Sequence, residues 1–219
     1  MSQQSIRSTA RSFVLGEDDD DEDDKGCGHT PPANKQDYGA LLTQKMVEAR
    51  TILIAKPVDK ELMEKVTAQL LVLSHLDPNK VITVYVNSPG GDADSGFAIY
   101  DMMRFVKAPV RTVCAGLCAS AGIIIFLGGE KGQRFSLPSS RFLIHQPSTA
   151  ASGQASDIEI TAREIVKIRD KYNEIVSVET GKPSKQILKD ANRDFWLSAG
   201  EAKEYGLVDK IVTNQGEMD

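Results

Sequence analysis

Segments rich in β-branched residues alternate with segments of helical periodicity, and this alternation constrains the fold more than any other feature of the sequence. The strand-like runs cover residues 51–54, 81–86 and 110–114. Between the first two, Asp59 is the predicted N-cap of a helix whose apolar residues recur at helical spacing through Leu73. The strand-like runs have few polar residues, as expected for strands buried on both faces. The pattern predicts an α/β fold with a mainly parallel sheet.

Composition excludes several classes of protein. No apolar run approaches the roughly 18 residues that a membrane span needs, and residues 1–15 lack the apolar middle of a secretory signal. We therefore expect a cytoplasmic protein. Of three cysteines, two lie close together at positions 114 and 118, which argues against a disulfide framework. We expect Cys114 and Cys118 to be small residues of the core.

The net charge of −5 is concentrated in residues 17–24, which are eight consecutive acidic residues. A block of like charges repels itself, so we predict a disordered tail and linker over residues 1–36 and an ordered domain over residues 37–219. A docking arm for a partner is the functional alternative. Cys27 and His29 are too few ligands for a metal site. The domain itself has no basic stripe, which argues against nucleic acid binding.

Ser120 is the candidate nucleophile, because only small residues stand within two positions of it. If the apolar run after it is a helix, the first N–H groups of that helix point toward charge that develops beside the serine. Gly90 and Gly91 follow the preceding strand, and the carboxyl ends of parallel strands share one edge of the sheet. The N–H of Gly91 is therefore the predicted second donor of an oxyanion hole. A packing site where a helix crosses a strand is the alternative explanation.

His145 is the candidate base, since it is the histidine that stands at the end of a predicted strand, residues 141–144. Of the other two histidines, one is in the acidic tail and one near the end of a helix. Asp194 stands two residues before the single tryptophan, in a predicted turn between helices. An aspartate there can orient His145, although a helix cap is the more ordinary role.

A long helix is predicted over residues 156–179, with apolar residues such as Ile158 and Tyr172 on one face. At about 1.5 Å per residue it reaches some 35 Å, so we expect part of it to project and pack against another subunit. Ser184 is the predicted cap of a shorter helix. Ser198 and Glu201 are predicted to form a capping box that starts the last helix.

Five blocks resemble, in order and spacing, the motifs of the proteolytic subunit of the Clp protease, a cylinder-forming serine peptidase. The resemblance runs from about residue 38 to residue 213. The blocks are residues 87–91 (Asn-Ser-Pro-Gly-Gly), 116–122 around the serine, 144–147 (Ile-His-Gln-Pro), 153–160, and Arg193-Asp194 with the segment 201–207.

The resemblance implies a crotonase-like α/β fold, a repeated ββα/βα superhelix with a projecting handle helix at about residues 153–180. It implies that Ser120 is the nucleophile, that His145 is first a general base and then an acid, and that Asp194 holds the imidazole in its tautomer. It further implies that the backbone N–H groups of Gly91 and Ala121 bind the oxyanion.

The resemblance also implies partners. The chain, alone or with a paralogue, forms two stacked seven-membered rings, with Gln154 and Arg193 as oligomer contacts. An AAA+ unfoldase uses ATP to feed unfolded polypeptides to the active sites, where they are hydrolysed to short peptides. The subunit itself needs no cofactor and no metal. Neither nucleic acid nor a membrane is an expected partner.

Three departures from the family pattern leave alternatives open. Cys118 replaces a smaller residue, Asn192 stands where many members carry an acid, and the acidic amino terminus replaces the family's axial-loop sequence. A catalytically weak or structural paralogue of a mixed cylinder is therefore the first alternative. The second is a crotonase-type acyl-CoA enzyme, which relies on carboxylates instead of this serine and histidine.

Overall fold

The computed structural model describes residues 35–148, 150 and 152–218. Contacts group Gln36–Asp219 into one compact unit. The predicted tail, residues 1–36, lies outside the described residues except for its last two, which begin the first helix. Cys27 and His29 are also outside them. In the described ranges, no helix combines the length and the apolar character needed to cross a membrane.

Helices and strands alternate along the described chain. The α-helices are α1 (Lys35–Glu48), α2 (Lys60–Leu76), α3 (Ala93–Phe105), α4 (Ala121–Leu127), α5 (Ala155–Thr180), α6 (Ser184–Asp190) and α7 (Ala199–Tyr205), followed by a short 3₁₀ helix, Gln215–Met218. The strands are β1 (Thr51–Ile54), β2 (Ile82–Ser88), β3 (Val110–Ala119), β4 (Arg134–Ser136), β5 (Arg141–Ile144), β6 (Phe195–Ser198) and β7 (Lys210–Ile211).

The strands form one sheet with β3 at its centre. Its main path has the order β1-β2-β3-β4-β7, and every pair along it is parallel. Strand β5 lies parallel to the second half of β3, and β6 pairs antiparallel with β5. The predicted mainly parallel α/β sheet is therefore confirmed.

Strand β3 is longer than predicted, because it continues past Cys114 to Ala119. Its first half pairs with β4 and its second half with β5, and its register against β2 shifts between the halves. Gly116 lies at this shift with φ +125°. The Asn87 side chain accepts the Leu117 N–H at 3.0 Å and the Ser140 hydroxyl accepts the Gly116 N–H at 3.2 Å. Side chains thus satisfy the backbone where the regular ladder fails.

Helices α2, α3 and α4 cover the sheet near the site. Asp59 accepts the Leu62 N–H at 2.7 Å, which confirms the predicted N-cap, and the predicted apolar positions of α2 are buried. Every residue of α4 is buried, as are the predicted core residues Cys114 and Cys118. The turn that carries Ser120 therefore adjoins a fully buried helix.

Helix α5 confirms the predicted long helix, and its 26 residues extend about 39 Å. Its first turns are exposed: Ile158 and Ile160 keep 41% and 51% of their surface. Its last turns are buried against the core. There Glu179 forms a 2.5 Å ion pair with Arg134, which is 1% exposed and also donates to the carbonyls of Leu127 and Gly129. The helix is thus anchored at its carboxyl end, and its amino-terminal part projects.

Two cap predictions have different outcomes. Ser198 and Glu201 form the predicted capping box at the start of α7. The prediction for Ser184 is wrong, because Pro183 is the N-cap of α6 and Ser184 is its first helical residue. Proline has no side-chain oxygen to act as a cap; its carbonyl accepts the Gln186 N–H at 2.8 Å and the Ile187 N–H at 3.2 Å.

Candidate active site

Ser120 occupies a strained turn between β3 and α4. Its backbone has φ 55° and ψ −122°, a region that residues other than glycine rarely adopt and that costs about 1–3 kcal/mol. The backbone is held on both sides, because the Ser120 N–H donates to the Leu143 carbonyl at 3.0 Å and the Ser120 carbonyl accepts the Ile123 N–H at 2.9 Å. The hydroxyl does not cap the helix. It is therefore available for another task.

Gly90 packs directly against this turn. A Cβ atom at Gly90, whose φ is +88°, would lie 2.6 Å from Ser120 Cβ and 3.0 Å from the Ala121 nitrogen. No other residue type fits this contact without a shift of the backbone. The first N–H groups of α4, beginning with Ala121, have no partner within the helix. The close approach thus brings the two predicted oxyanion donors, Gly91 and Ala121, to neighbouring segments.

Gly91 is held by a bridge to Val58 that leaves its own N–H unused. The Val58 N–H donates to the Gly90 carbonyl and the Asp92 N–H donates to the Val58 carbonyl, both at 2.8 Å. Gly91 has φ +147°. The bridge uses only the neighbours of Gly91, and the Gly91 N–H has no partner among the described residues, so it can donate to a ligand in the cavity that Gly91 lines.

The antiparallel pairing of β5 and β6 brings His145 and Asp194 together. Ile144 pairs with Phe195, so the residues just beyond this pair, His145 and Asp194, lie across from each other. The His145 Nδ1 is 3.6 Å from the Asp194 Oδ1, an approach that is longer than a hydrogen bond. The imidazole is 29% exposed and the carboxylate 65%. The carboxylate is therefore largely hydrated.

One cavity of about 430 Å³ collects most of the predicted site residues: Ser120, Ala121, Gly91 and His145 all line it. Its apolar lining comes from Phe97, Ile124, Pro147, Ile165, Ile168 and the ring of Tyr172. Asp194 lines an adjoining pocket on the other side of His145, together with Arg193. The arrangement places a hydroxyl, an imidazole and free N–H groups around one space, with a carboxylate behind the imidazole.

No hydrogen bond joins the Ser120 hydroxyl to the His145 imidazole among the described residues. Gln154 and Arg193, the predicted oligomer contacts, are both exposed. Gln154 precedes α5, and Arg193 lies in the turn before β6. Neither lines the cavity around Ser120.

Cys118 is excluded as a competing nucleophile. Its thiol is buried two residues before Ser120 and lies 3.2 Å from the Gly122 carbonyl. Burial raises the pKa of Cys118, and the neighbouring Cys114 raises it further. Only the thiolate is a strong nucleophile, so this thiol stays inert. Within the described ranges, no group of three or more histidine, cysteine, aspartate or glutamate residues is placed to hold a metal ion.

Sequence reasoning missed two polar residues that line the cavity, Asp92 and Ser148, and the buried hydroxyl of Tyr172. The sequence predicts Tyr172 on the apolar face of the long helix, and it is indeed buried. Its hydroxyl has no hydrogen-bond partner in the described structure. An apolar periodicity identifies the face of a helix but carries no signal for an unpaired hydroxyl on that face.

Comparison with known proteins decides the family. The sequence model of the family described as Clp protease matches residues 34–215. The chain belongs to the Clp protease family. This family consists of peptidases, and its proteolytic subunits are serine proteases that form tetradecamers. Membership confirms the predicted family and gives no support to the alternative of an acyl-CoA enzyme.

Individual Clp proteins match over most of their length. The chain is 48% identical over 185 residues to the ATP-dependent Clp protease proteolytic subunit 2 of Treponema denticola, which covers 84% of this chain and 92% of the relative. It is 44% identical over 186 residues to the subunit of the same description from Treponema pallidum, over 85% and 94%. A solved ClpP1 mutant from Listeria monocytogenes superposes with a TM-score of 0.76 at 44% identity, over 81% of this chain and 99% of that one. The Clp likeness confirms the predicted crotonase-like fold.

Proposed function

We propose that this chain is the proteolytic subunit of an ATP-dependent chaperone–protease, a serine endopeptidase that hydrolyses unfolded polypeptides to short peptides. The observation that carries the proposal is the cavity in which the free hydroxyl of Ser120, at its strained turn, faces the same space as His145. Gly91 and Ala121, whose N–H groups are the proposed oxyanion donors, line that space as well.

The acylation step uses Ser120 and His145. The Ser120 Oγ attacks the carbonyl carbon of the scissile peptide bond while His145 Nε2 accepts its proton. The carbonyl oxygen becomes an oxyanion, which the N–H groups of Gly91 and Ala121 stabilise. The C–N bond then breaks, the imidazolium gives its proton to the leaving amine, and the acyl group remains on Ser120 as an ester.

Deacylation reverses the roles of the same groups. A water molecule attacks the ester carbonyl while His145 accepts its proton, and the imidazolium then returns a proton to Ser120 Oγ as the carboxylic acid leaves. Asp194 orients the imidazole by accepting the Nδ1–H. The 3.6 Å separation must shorten for this hydrogen bond to form. Such bonds are often long in unliganded sites and tighten when substrate binds.

The assembly follows the same proposal. Copies of the chain, alone or with a paralogue, form two stacked heptameric rings, and the projecting first turns of α5 supply a contact surface. The exposed residues Gln154 and Arg193 are proposed contacts in this assembly. An AAA+ unfoldase in the cytoplasm uses ATP and delivers unfolded polypeptides, so the subunit itself carries neither nucleotide nor metal.

A second candidate function is that of a catalytically weak or structural subunit in a mixed Clp cylinder. The gap between His145 and Asp194, together with the exposure of Asp194, favours this candidate. Asn192, which stands beside Arg193, adds a further difference from many members of the family.

Labelling and hydrolysis separate the two candidates. A fluorophosphonate is expected to label the purified assembly, and Ser120→Ala is expected to abolish both labelling and peptide hydrolysis. The same assays are repeated with the paralogue and the unfoldase present. If Ser120→Ala has no effect on the hydrolysis that the mixture performs, the chain is a scaffold and not a peptidase.

A further inference from the structure

Two hydrogen bonds from Gln146 join the end of β5 to the turn between α6 and β6. The Gln146 backbone N–H donates to the Ala191 carbonyl at 2.9 Å, and the side-chain Nε2 donates to the Asn192 carbonyl at 3.1 Å. The ladder between β5 and β6 has its last pair at Ile144 and Phe195. Gln146 therefore continues the connection between the two segments beyond the end of the sheet.

This connection spans the same gap as the proposed catalytic pair, His145 and Asp194. His145 immediately precedes Gln146, and Asp194 is two residues after Asn192. The hydrogen bonds of Gln146 hold the first half of the turn, while the ladder with β5 holds the residue that follows Asp194. With both ends of the turn held, a small movement of its second half can close the 3.6 Å separation between the imidazole and the carboxylate.

The side-chain hydrogen bond of Gln146 has a geometric effect that exceeds its value for stability. Gln146 is exposed, so water competes for both partners of the bond and the net gain in stability is small. The following residue, Pro147, disfavours a helical backbone at Gln146, which limits the competing conformations. The bond to the Asn192 carbonyl fixes the peptide group from which the chain continues to Asp194.

We propose that Gln146 is a positioning residue, whose side-chain amide holds the turn so that the Asp194 carboxylate stays within reach of the His145 Nδ1. The inference rests on the proposed peptidase function. Gln146 lines the pocket that contains Asp194 and does not line the cavity that contains Ser120. It therefore acts through Asp194, and its loss is expected to lower kcat with KM nearly unchanged.

The test is a double-mutant cycle of Gln146→Met and Asp194→Asn, measured as kcat and KM of peptide hydrolysis by the assembled protein. Methionine keeps the length of the side chain and removes the amide. We expect Gln146→Met to lower kcat about two- to tenfold in the native background, the range for one hydrogen bond. In the Asp194→Asn background its effect is expected to be less than about twofold, because the carboxylate that Gln146 positions is already gone.

Gln186→Met is the matched control. Gln186 is an exposed residue of α6 whose side-chain Nε2 donates to Asp190 at 2.7 Å, immediately before the same turn. This bond stays within α6, so the control is expected to leave kcat unchanged in both backgrounds. Gln146→Glu is a second variant, which places an acceptor against the Asn192 carbonyl. It is expected to lower kcat at least as much as Gln146→Met.

Two results overturn the inference while the peptidase function stands. One is an unchanged kcat in Gln146→Met with hydrolysis that still depends on Ser120. The other is an equal loss of kcat in the native and Asp194→Asn backgrounds, which would mean that Gln146 does not act through the carboxylate. If the native assembly hydrolyses no peptide and fluorophosphonate fails to label Ser120, the proposed function itself fails, and the inference with it.

Discussion

The strain at Ser120 can be measured by comparing two inactive variants, Ser120→Gly and Ser120→Ala. Both lack the hydroxyl, so they differ in the Cβ atom, which affects how well the residue tolerates φ 55° and ψ −122° and how free the unfolded chain is. Relief of the strained conformation favours glycine by about 1–3 kcal/mol. The greater freedom of glycine in the unfolded chain offsets about 0.5–1 kcal/mol of this gain. The net expectation is that Ser120→Gly is more stable than Ser120→Ala by about 1 kcal/mol.

Thermal unfolding of the two assembled variants measures this difference. For a chain of this length, about 1 kcal/mol corresponds to a rise in Tm of about 2–4 °C. The two variants must be compared at equal protein concentration, because assembly makes Tm depend on concentration. If Ser120→Gly melts at or below the temperature of Ser120→Ala, the backbone of Ser120 is not strained, and the argument that the turn is built to present the hydroxyl loses its energetic basis.

Three further outcomes are expected. Asp194→Asn lowers kcat by about 10²–10⁴-fold with KM nearly unchanged, because asparagine does not hold the productive tautomer of the imidazole; steady-state peptide hydrolysis measures this, and an unaltered kcat would contradict it. Arg134→Met lowers the free energy of unfolding by about 3–5 kcal/mol, since Glu179 is left buried without its cation; urea unfolding measures the loss, with Lys131→Met, an exposed neighbour, as a control that stays nearly neutral. Burial would raise the pKa of Glu179, but the hydrogen bonds from Arg134 and Tyr100 lower it below 4.5. The ionised Glu179 thus contributes its full stabilisation above about pH 4.5, and this contribution is lost as the pH falls through the lower pKa of the folded state. Urea midpoints of the native protein and of Glu179→Gln are measured down to about pH 3, and the midpoint of the variant is expected to fall less with pH. An equal fall in both proteins would refute the assignment.

The parts of the fold that local sequence determines were predictable. The N-cap Asp59, the capping box of Ser198 and the core face of α2 all depend on residues three or four positions apart. The extension of β3 to Ala119 was not predictable in this way. The extension depends on hydrogen bonds from backbone N–H groups of β3 to the side chains of Asn87 and Ser140, which are more than 20 residues away in sequence.

The candidate site, like the fold, could be predicted only where nearby residues determine it. Ser120 and Gly91 were identified from their small neighbours and their places after strands, and the structure places both on one cavity. The sequence predicts Asp194 in a turn between two helices, whereas the structure places it directly before strand β6. The pairing of β6 with β5 depends on contacts across about 50 residues of chain, which the local sequence pattern does not report. The proximity of Asp194 to His145 therefore comes from tertiary pairing.

The sheet holds the proposed catalytic groups with unequal firmness. Ser120 is bonded through its N–H to Leu143, two residues before His145, so the hydroxyl and the imidazole share one rigid frame inside the sheet. Asp194 reaches that frame through the four paired residues of β6 and the hydrogen bonds of Gln146. Fraying of this short outer strand would withdraw the carboxylate while the nucleophile, its donors and the core kept their places. In the proposed peptidase, loss of these few edge hydrogen bonds would remove the group that orients His145 without displacing Ser120.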